Sequence, residues 1–264
     1  MKSMHKRILL WAAVLGSTFC AFAGDSSGWR QLPLISGAKV DPDWVHIGYG
    51  GWAVEDGVIR TDPAPQGLGL LVYKKEKIGN CQLRVVFKTK DERSNSGVYV
   101  RIGDGILDQV KKPGYPFDRD AAGKISDASM EKAQAAADRE EGPWYAVHNG
   151  FEVQIAGSGD SMHGTGAIYS LAARKNPPKL TPGEWQTLVI TLDGEKIFVD
   201  LNGKRITNFD ASNPNLPPRK IWHEPKRDFK RPQVGYIGLQ THDPGDIVWF
   251  KEVSVRPLTD SSRK

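Results

Sequence analysis

The sequence predicts an all-β protein, a sandwich of two antiparallel sheets, and three observations carry that prediction. Apolar and polar residues alternate along many short stretches, the period of a strand with one face buried. Asp-Gly and Asn-Gly pairs fall between such stretches, where tight hairpins need residues that tolerate positive φ. Strand-like stretches are not interleaved with helices, which excludes a parallel α/β architecture.

The elements follow in chain order. Residues 1–23 read as an export signal: Lys2, Lys6 and Arg7 precede an apolar run from Ile8 to Phe22, and Ala21-Phe-Ala23 offers a cleavage site before Gly24. The apolar run is short for a membrane span, so no span is expected after cleavage, and the expected location is periplasmic or secreted. Cleavage takes the formal charge from +5 to +2, so the basic balance calls for no nucleic-acid partner. It also removes Cys20, which leaves Cys81 alone and excludes an internal disulfide. Residues 24–258 suit a single large β domain, and residues 259–264 read as a polar tail.

Within that domain, Trp52-Ala-Val-Glu-Asp-Gly-Val-Ile59 reads as a hairpin turning at Asp56-Gly57. Strands are expected over 67–73, 79–90 and 94–102. Residues 103–149 form a long insertion, either a functional lid or surface decoration. Within it Ile125–Glu141 reads as one short helix, capped by Ser126 or Asp127, with Met130, Ala133 and Ala137 on one side. Asp193-Gly194 and Asn202-Gly203 then join three strands into a meander. Residues 213–232 form a loop rich in proline and charge. A last pair of strands, 234–242 and 247–255, is expected around Asp243-Pro-Gly245.

Two strands carry the candidate chemistry. In Phe151-Glu-Val-Gln-Ile-Ala156 the apolar row leaves Glu152 and Gln154 on the opposite face. In Asn95-Ser-Gly-Val-Tyr-Val-Arg101, Val98 and Val100 leave Asn95, Tyr99 and Arg101 opposite. If both polar faces share a sheet, they line a groove with an acid, amides, a phenol and a guanidinium, chemistry that suits a saccharide. Each has a plainer reading: Glu152 could pair with Arg101 across the sheet, Asn95-Ser-Gly97 could be turn chemistry, and His242 a turn residue. No phosphate loop, zinc motif or nucleophile elbow is present. No cofactor is required; a divalent cation is compatible with Asp160 and His163, and the metal ligands are undetermined. Oligomeric state is not legible.

The order of several motifs resembles the 3-keto-disaccharide hydrolase family: Trp52-Ala-Val-Glu-Asp-Gly-Val58, Asn95 to Arg101, Phe151 to Ile155, Thr165-Gly-Ala-Ile-Tyr169, Gly183-Glu-Trp185, Leu201-Asn-Gly203, Gly238-Leu-Gln-Thr-His242 and Val248 to Val253. The resemblance implies a concanavalin A-like jelly-roll sandwich with the sugar on its concave sheet. It implies cleavage of glycosides oxidised at C3, through proton abstraction at C2, elimination and hydration. In that reading Glu152 is the base, Arg101 stabilises the enolate with Asn95, and His242 protonates the leaving group. Tyr99, Gln154, Tyr169 and Gln240 contact the carbohydrate. The chain departs from the family's usual Tyr and Asp at Phe151 and Ala156. A non-catalytic carbohydrate-binding module on the same sandwich is the alternative.

Overall fold

Each alternating stretch must turn its apolar row toward something, and here the rows of two sheets meet. The computed structural model describes residues 28–62, 67–112, 118–122, 124–213, 215–227, 230–243 and 245–258; the expected export signal and tail lie outside them. In chain order the strands are β1 (Arg30–Gln31), β2 (Ile35–Ser36), β3 (Lys39–Val40), β4 (Trp44–Gly48), β5 (Gly51–Glu55), β6 (Val58–Asp62), β7 (Gly69–Ile78), β8 (Cys81–Thr89) and β9 (Asn95–Ile102). A 3₁₀ segment (Asp104–Lys111), α1 (Asp127–Asp138) and α2 (Trp144–Asn149) follow. Then come β10 (Phe151–Ala156), β11 (Gln186–Asp193), β12 (Lys196–Leu201), β13 (Lys204–Asp210), β14 (Gly235–Thr241) and β15 (Val248–Arg256).

One sheet runs β13-β12-β11-β8-β15-β6-β5, with β1 added on β15; the other runs β10-β9-β14-β7-β4, and β2 and β3 form a separate ribbon. Every pairing is antiparallel. Leu83, Val85, Phe87, Ile190 and Phe250 of the larger sheet meet Leu71, Val98, Val100, Val153 and Leu239 of the smaller one, all buried. Phe151 belongs to this core and packs edge-on against Phe209, so its departure from the family pattern does not reach the outer face.

The expected hairpins form. Asp56 and Gly57 have φ of 49° and 75°, and Asn202 and Gly203 of 50° and 79°, the left-handed pairs of type I′ turns. The β11–β12 turn centres on Gly194-Glu195, one residue later than expected, because Asp193 pairs with Lys196. The last two strands do not form a hairpin. β14 lies between β9 and β7 while β15 lies between β8 and β6 in the opposite sheet. Asp246, between the two strands, is held from both sides: the Asn95 amide donates to its Oδ1 and the Thr61 hydroxyl to its carbonyl. The two strands therefore part to opposite sheets instead of turning back within one.

The strand alternation also fails at Arg101. This residue has φ of 54°, and the β14–β9 register shifts between Tyr236 and Gly238. A left-handed residue in a strand breaks the two-residue period, and the guanidinium leaves the face that carries Tyr99. Arg101 is 1% exposed and donates to the Gly194 carbonyl at 2.5 Å, with Asn80 Oδ1 at 3.5 Å. Burial lowers its pKa, and the Glu195 and Asp193 charges partly restore it. The expected cross-strand partner of Glu152 is thus a clamp on the β11–β12 turn.

The insertion folds onto the outer face of the five-stranded sheet and is not surface decoration. The Ser126 hydroxyl accepts from Ser129 N at 3.2 Å and caps α1, as expected. Ala133, Ala136 and Ala137 let that helix approach closely; with Ile106, Trp144 and Val147 they join Ile47, Leu70, Val72 and Ile102 in a second buried cluster. The insertion has a second helix, α2, which is too short for its periodicity to be visible in sequence.

Arg101→Met should lower stability by about 2–3 kcal/mol, because the Gly194 carbonyl and the turn lose their buried partner. Thermal denaturation checks this; an unchanged midpoint would argue against the clamp.

Candidate functional site

The insertion covers only part of the outer face. The remainder opens into a cavity of about 400 Å³ whose floor carries Asn95, Tyr99, Glu152, Gln154, Gln240 and His242. Their convergence follows from register. Across β10 and β9, Glu152 lies opposite Tyr99, Gln154 opposite Gly97 and Ala156 opposite Asn95, while Tyr99 faces Gly238 of β14. Residues two apart share a face, so three adjacent strands raise one polar surface. Seven of the eight expected site residues line this cavity, Tyr169 among them; Arg101 does not.

Glu152 is the centre of the polar network. The Tyr99 hydroxyl donates to Glu152 Oε2 at 2.8 Å, and Gln240 Nε2 donates to the Tyr99 oxygen at 3.3 Å. With its nitrogen turned inward, the Gln154 carboxamide donates to Glu152 Oε1 at 2.9 Å and to the Ser96 carbonyl at 3.2 Å. Gly97 makes room for this carboxylate: a Cβ there would lie 2.3 Å from Glu152 Oε1. Burial pushes the Glu152 carboxyl up to about 7, while Tyr99, the His242 charge and Gln240 pull against it. Near neutral pH the group is therefore divided between acid and carboxylate, the condition for exchanging a proton with a ligand.

His242 stands just past the end of β14. Its Nδ1 lies 3.1 Å from Asp246 Oδ2 and 3.8 Å from Asp243 Oδ2. Burial acts to lower its pKa, but the Asp246 hydrogen bond and the charges of Asp243, Asp246 and Glu152 together raise it above the usual value. With Nδ1 engaged, Nε2 is the nitrogen left to meet a ligand. Tyr169 comes from the segment after β10, whose amide donates to the Glu152 carbonyl. The Tyr169 hydroxyl lies 3.2 Å from His223 Nδ1, and its ring meets His163 edge-on at 5.1 Å. Burial raises the Tyr169 phenol and lowers His223.

Sequence reasoning missed several groups. Trp144, Trp222 and His223 line the cavity from α2 and from the 215–227 loop. The only sequence signal for the last two was an Ile-Trp-His run inside a loop otherwise rich in proline and charge. A second carboxylate, Asp243, also lines the cavity, where one acid was expected; Arg119 holds it at 2.7 Å. Asp160 and His163 bond each other at 2.9 Å, and His163 Nε2 meets Ser170 Oγ at 2.9 Å, so both ring nitrogens are occupied. Among the described residues the one compact group of three potential metal donors is His242, Asp243 and Asp246, with donor atoms within 4.8 Å of one another.

The raised Glu152 pKa has a stability consequence with a definite sign. The unfolded carboxyl ionises near its usual value and the folded one near 7, so the folded state holds the extra proton between the two. Stability is full below the unfolded pKa and falls as pH rises through about 7. Glu152→Gln removes the buried charge and should be more stable than the parent at pH 8 by about 1–3 kcal/mol. At pH 4 the two should match. Denaturant titrations at both pH values check this, and an equal difference at both would show that burial of charge is not the cause.

Comparison with known proteins places this geometry. No curated protein matches the chain. A Parabacteroides distasonis protein of solved structure, provisionally assigned as a glycosyl hydrolase, is 26% identical; the match covers 87% of this chain and 99% of that one, with a TM-score of 0.57. A second protein from the same organism, with the same provisional assignment, is 18% identical over 88% of this chain and 89% of its own, with a TM-score of 0.51, and shares the fold. The two antiparallel sheets pack as the sandwich that the sequence predicts, and the protein has a carbohydrate-related role. The family model for the 3-keto-alpha-glucoside-1,2-lyase-like domain matches residues 24–256, and the chain belongs to that family.

Proposed function

We propose that the protein is an exported enzyme that cleaves glycosides carrying a ketone at C3, by elimination across C1 and C2 followed by hydration. The observation that carries this reading is Glu152, a proton-exchanging carboxylate set against the uncharged side chains of Tyr99, Gln154 and Gln240. Glycosidases of the usual kind divide acid and base or nucleophile between two carboxyl groups. Here the second cavity carboxylate, Asp243, is ion-paired with Arg119.

A ketone at C3 makes the chemistry feasible with one carboxylate. Glu152 takes the C2 proton and the C2–H electron pair forms an enolate with the C3 carbonyl. The enolate collapses, the C1–O bond breaks with its electrons on oxygen, and the His242 imidazolium supplies that oxygen with a proton. Water then adds at C1 of the resulting enone and C2 regains a proton, which gives the free 3-keto sugar. Arg101 plays no part, so the enolate oxygen is left to the Asn95 carboxamide and the Tyr169 hydroxyl, both on the cavity lining. Export rests on the residue 1–23 pattern. The alternative, a binding module without catalysis, would use the same polar floor of Asn95, Tyr99, Gln154 and Gln240.

The test compares the parent protein with Glu152→Gln on a disaccharide and on its 3-keto form. The parent should cleave only the oxidised sugar, and the variant should lose about 10²- to 10⁴-fold in kcat while still binding. Unchanged turnover by the variant removes Glu152 as base; binding without cleavage by the parent supports the lectin-like alternative. For the parent, kcat/KM should rise with pH as Glu152 ionises near 7 and fall at higher pH as His242 loses its proton. A profile flat between pH 5 and 9 contradicts the pair.

A further inference from the structure

The cavity has two chemical halves. Its floor is the polar surface of β9, β10 and β14, whereas Ile125, Met130, Trp144, Val147, Trp222 and Leu68 form an apolar wall. Two connections build most of that wall. Ile125, Met130, Trp144 and Val147 belong to the insertion, and Trp222 belongs to the 215–227 loop. Trp222 packs against Trp144 with ring centroids 5.2 Å apart at 52°. Its carbonyl accepts from Arg219, and Lys226 of the same loop bonds Glu140 at 2.6 Å. The wall is thus one packed unit joined from two segments.

The boundary between the halves falls within a single dipeptide. Trp222 faces the wall, while His223 lies 3.2 Å from the Tyr169 hydroxyl beside the floor. A ligand that places a sugar ring on the floor therefore extends whatever is attached to that ring along the wall. The cavity volume, about 400 Å³, is at the small end for ligand sites and suits one further ring, not a chain.

We infer that the group leaving from C1 is an apolar or aromatic alcohol, not a second sugar. This rests on the reading of the protein as a 3-keto-glycoside-cleaving enzyme and names the substrate class within it. A second sugar against this wall would bury hydroxyls beside Ile, Val, Met and Leu side chains, where they find no partners. An aromatic ring would meet the tilted Trp144–Trp222 pair in a favoured geometry. Release of such an alcohol requires only that its oxygen gain the proton carried by His242.

The experiment uses the full-length protein and two 3-keto glucosides of the same anomeric configuration, one with benzyl alcohol and one with glucose as leaving group. Benzyl alkoxide departs no more readily than a sugar alkoxide, so a preference for it reports the site and not the leaving group. The expected result is a kcat/KM at least about 10-fold higher for the benzyl substrate. Met130→Gln and Trp222→Ala should each erase most of that preference by lowering kcat/KM for the benzyl substrate, and Trp222→Phe should restore it. Equal rates, or a preference for the disaccharide, overturn the aglycone inference and leave the enzymatic reading intact. A preference that survives both Met130→Gln and Trp222→Ala also overturns it. Failure to cleave either substrate overturns the enzymatic reading and the inference with it.

Discussion

A carboxylate held over a glycine in the middle of a sheet is the constraint to which the rest of the site answers. Glu152 projects from β10 across the bare backbone of Gly97 in β9, and any side chain there would occupy the position of Oε1. Taking that carboxylate out of water is costly unless hydrogen bonds meet it. Tyr99 and Gln154 supply them, and Gln240 supports Tyr99 in turn. The compensation is incomplete, which is why the carboxyl rises to about 7 instead of remaining a fixed anion. A fully satisfied carboxylate would be a good structural anchor and a poor base. The sheet holds Glu152 between those two conditions.

What could be read in the sequence divides along the same physical line. The β10 and β9 faces were legible because a strand has a fixed two-residue period, and Glu152, Gln154, Asn95 and Tyr99 fall where that period puts them. Arg101 obeys the same period on paper, yet its left-handed backbone breaks it. Positive φ at an arginine leaves no compositional trace, unlike the Asp-Gly and Asn-Gly turns, where residue type announces the conformation. The destination of the last strands was illegible for a different reason. Whether β14 and β15 pair or part depends on Asp246 bonding Asn95 and Thr61, residues remote in sequence. Trp144, Trp222 and His223 lie on a short helix and a loop, where no period relates one side chain to another.

The site consequently joins parts of two kinds. Its floor is positioned by continuous strand pairing, so the spacing among Glu152, Tyr99 and Gln240 is fixed by the same hydrogen bonds that make the sheet. The wall is attached to this floor through the insertion, whose alanine-rich side of α1 lets it settle on Ile47, Leu70 and Val72. Chemistry at the reacting bond and recognition of the neighbouring group are thereby assigned to different segments. Changes in the wall can alter what binds without moving the base.

The joint between insertion and loop shows how that division is kept from loosening the site. His148, in α2, is 1% exposed, and burial together with the Lys226 and Arg219 charges brings its pKa down to about 4. It is therefore neutral at physiological pH, and its Nδ1 can accept from the Lys226 backbone amide at 3.3 Å. A protonated imidazole could not. The Lys226 ammonium reaches Glu140, which also receives the Asn149 side-chain amide at 2.7 Å. One lysine thus binds the insertion through both its backbone and its side chain, four residues after Trp222 and three after His223. The loop has no sheet to register it. This pair of contacts takes that role, and it places an aromatic ring on the wall and an imidazole at the floor from adjacent positions in the chain.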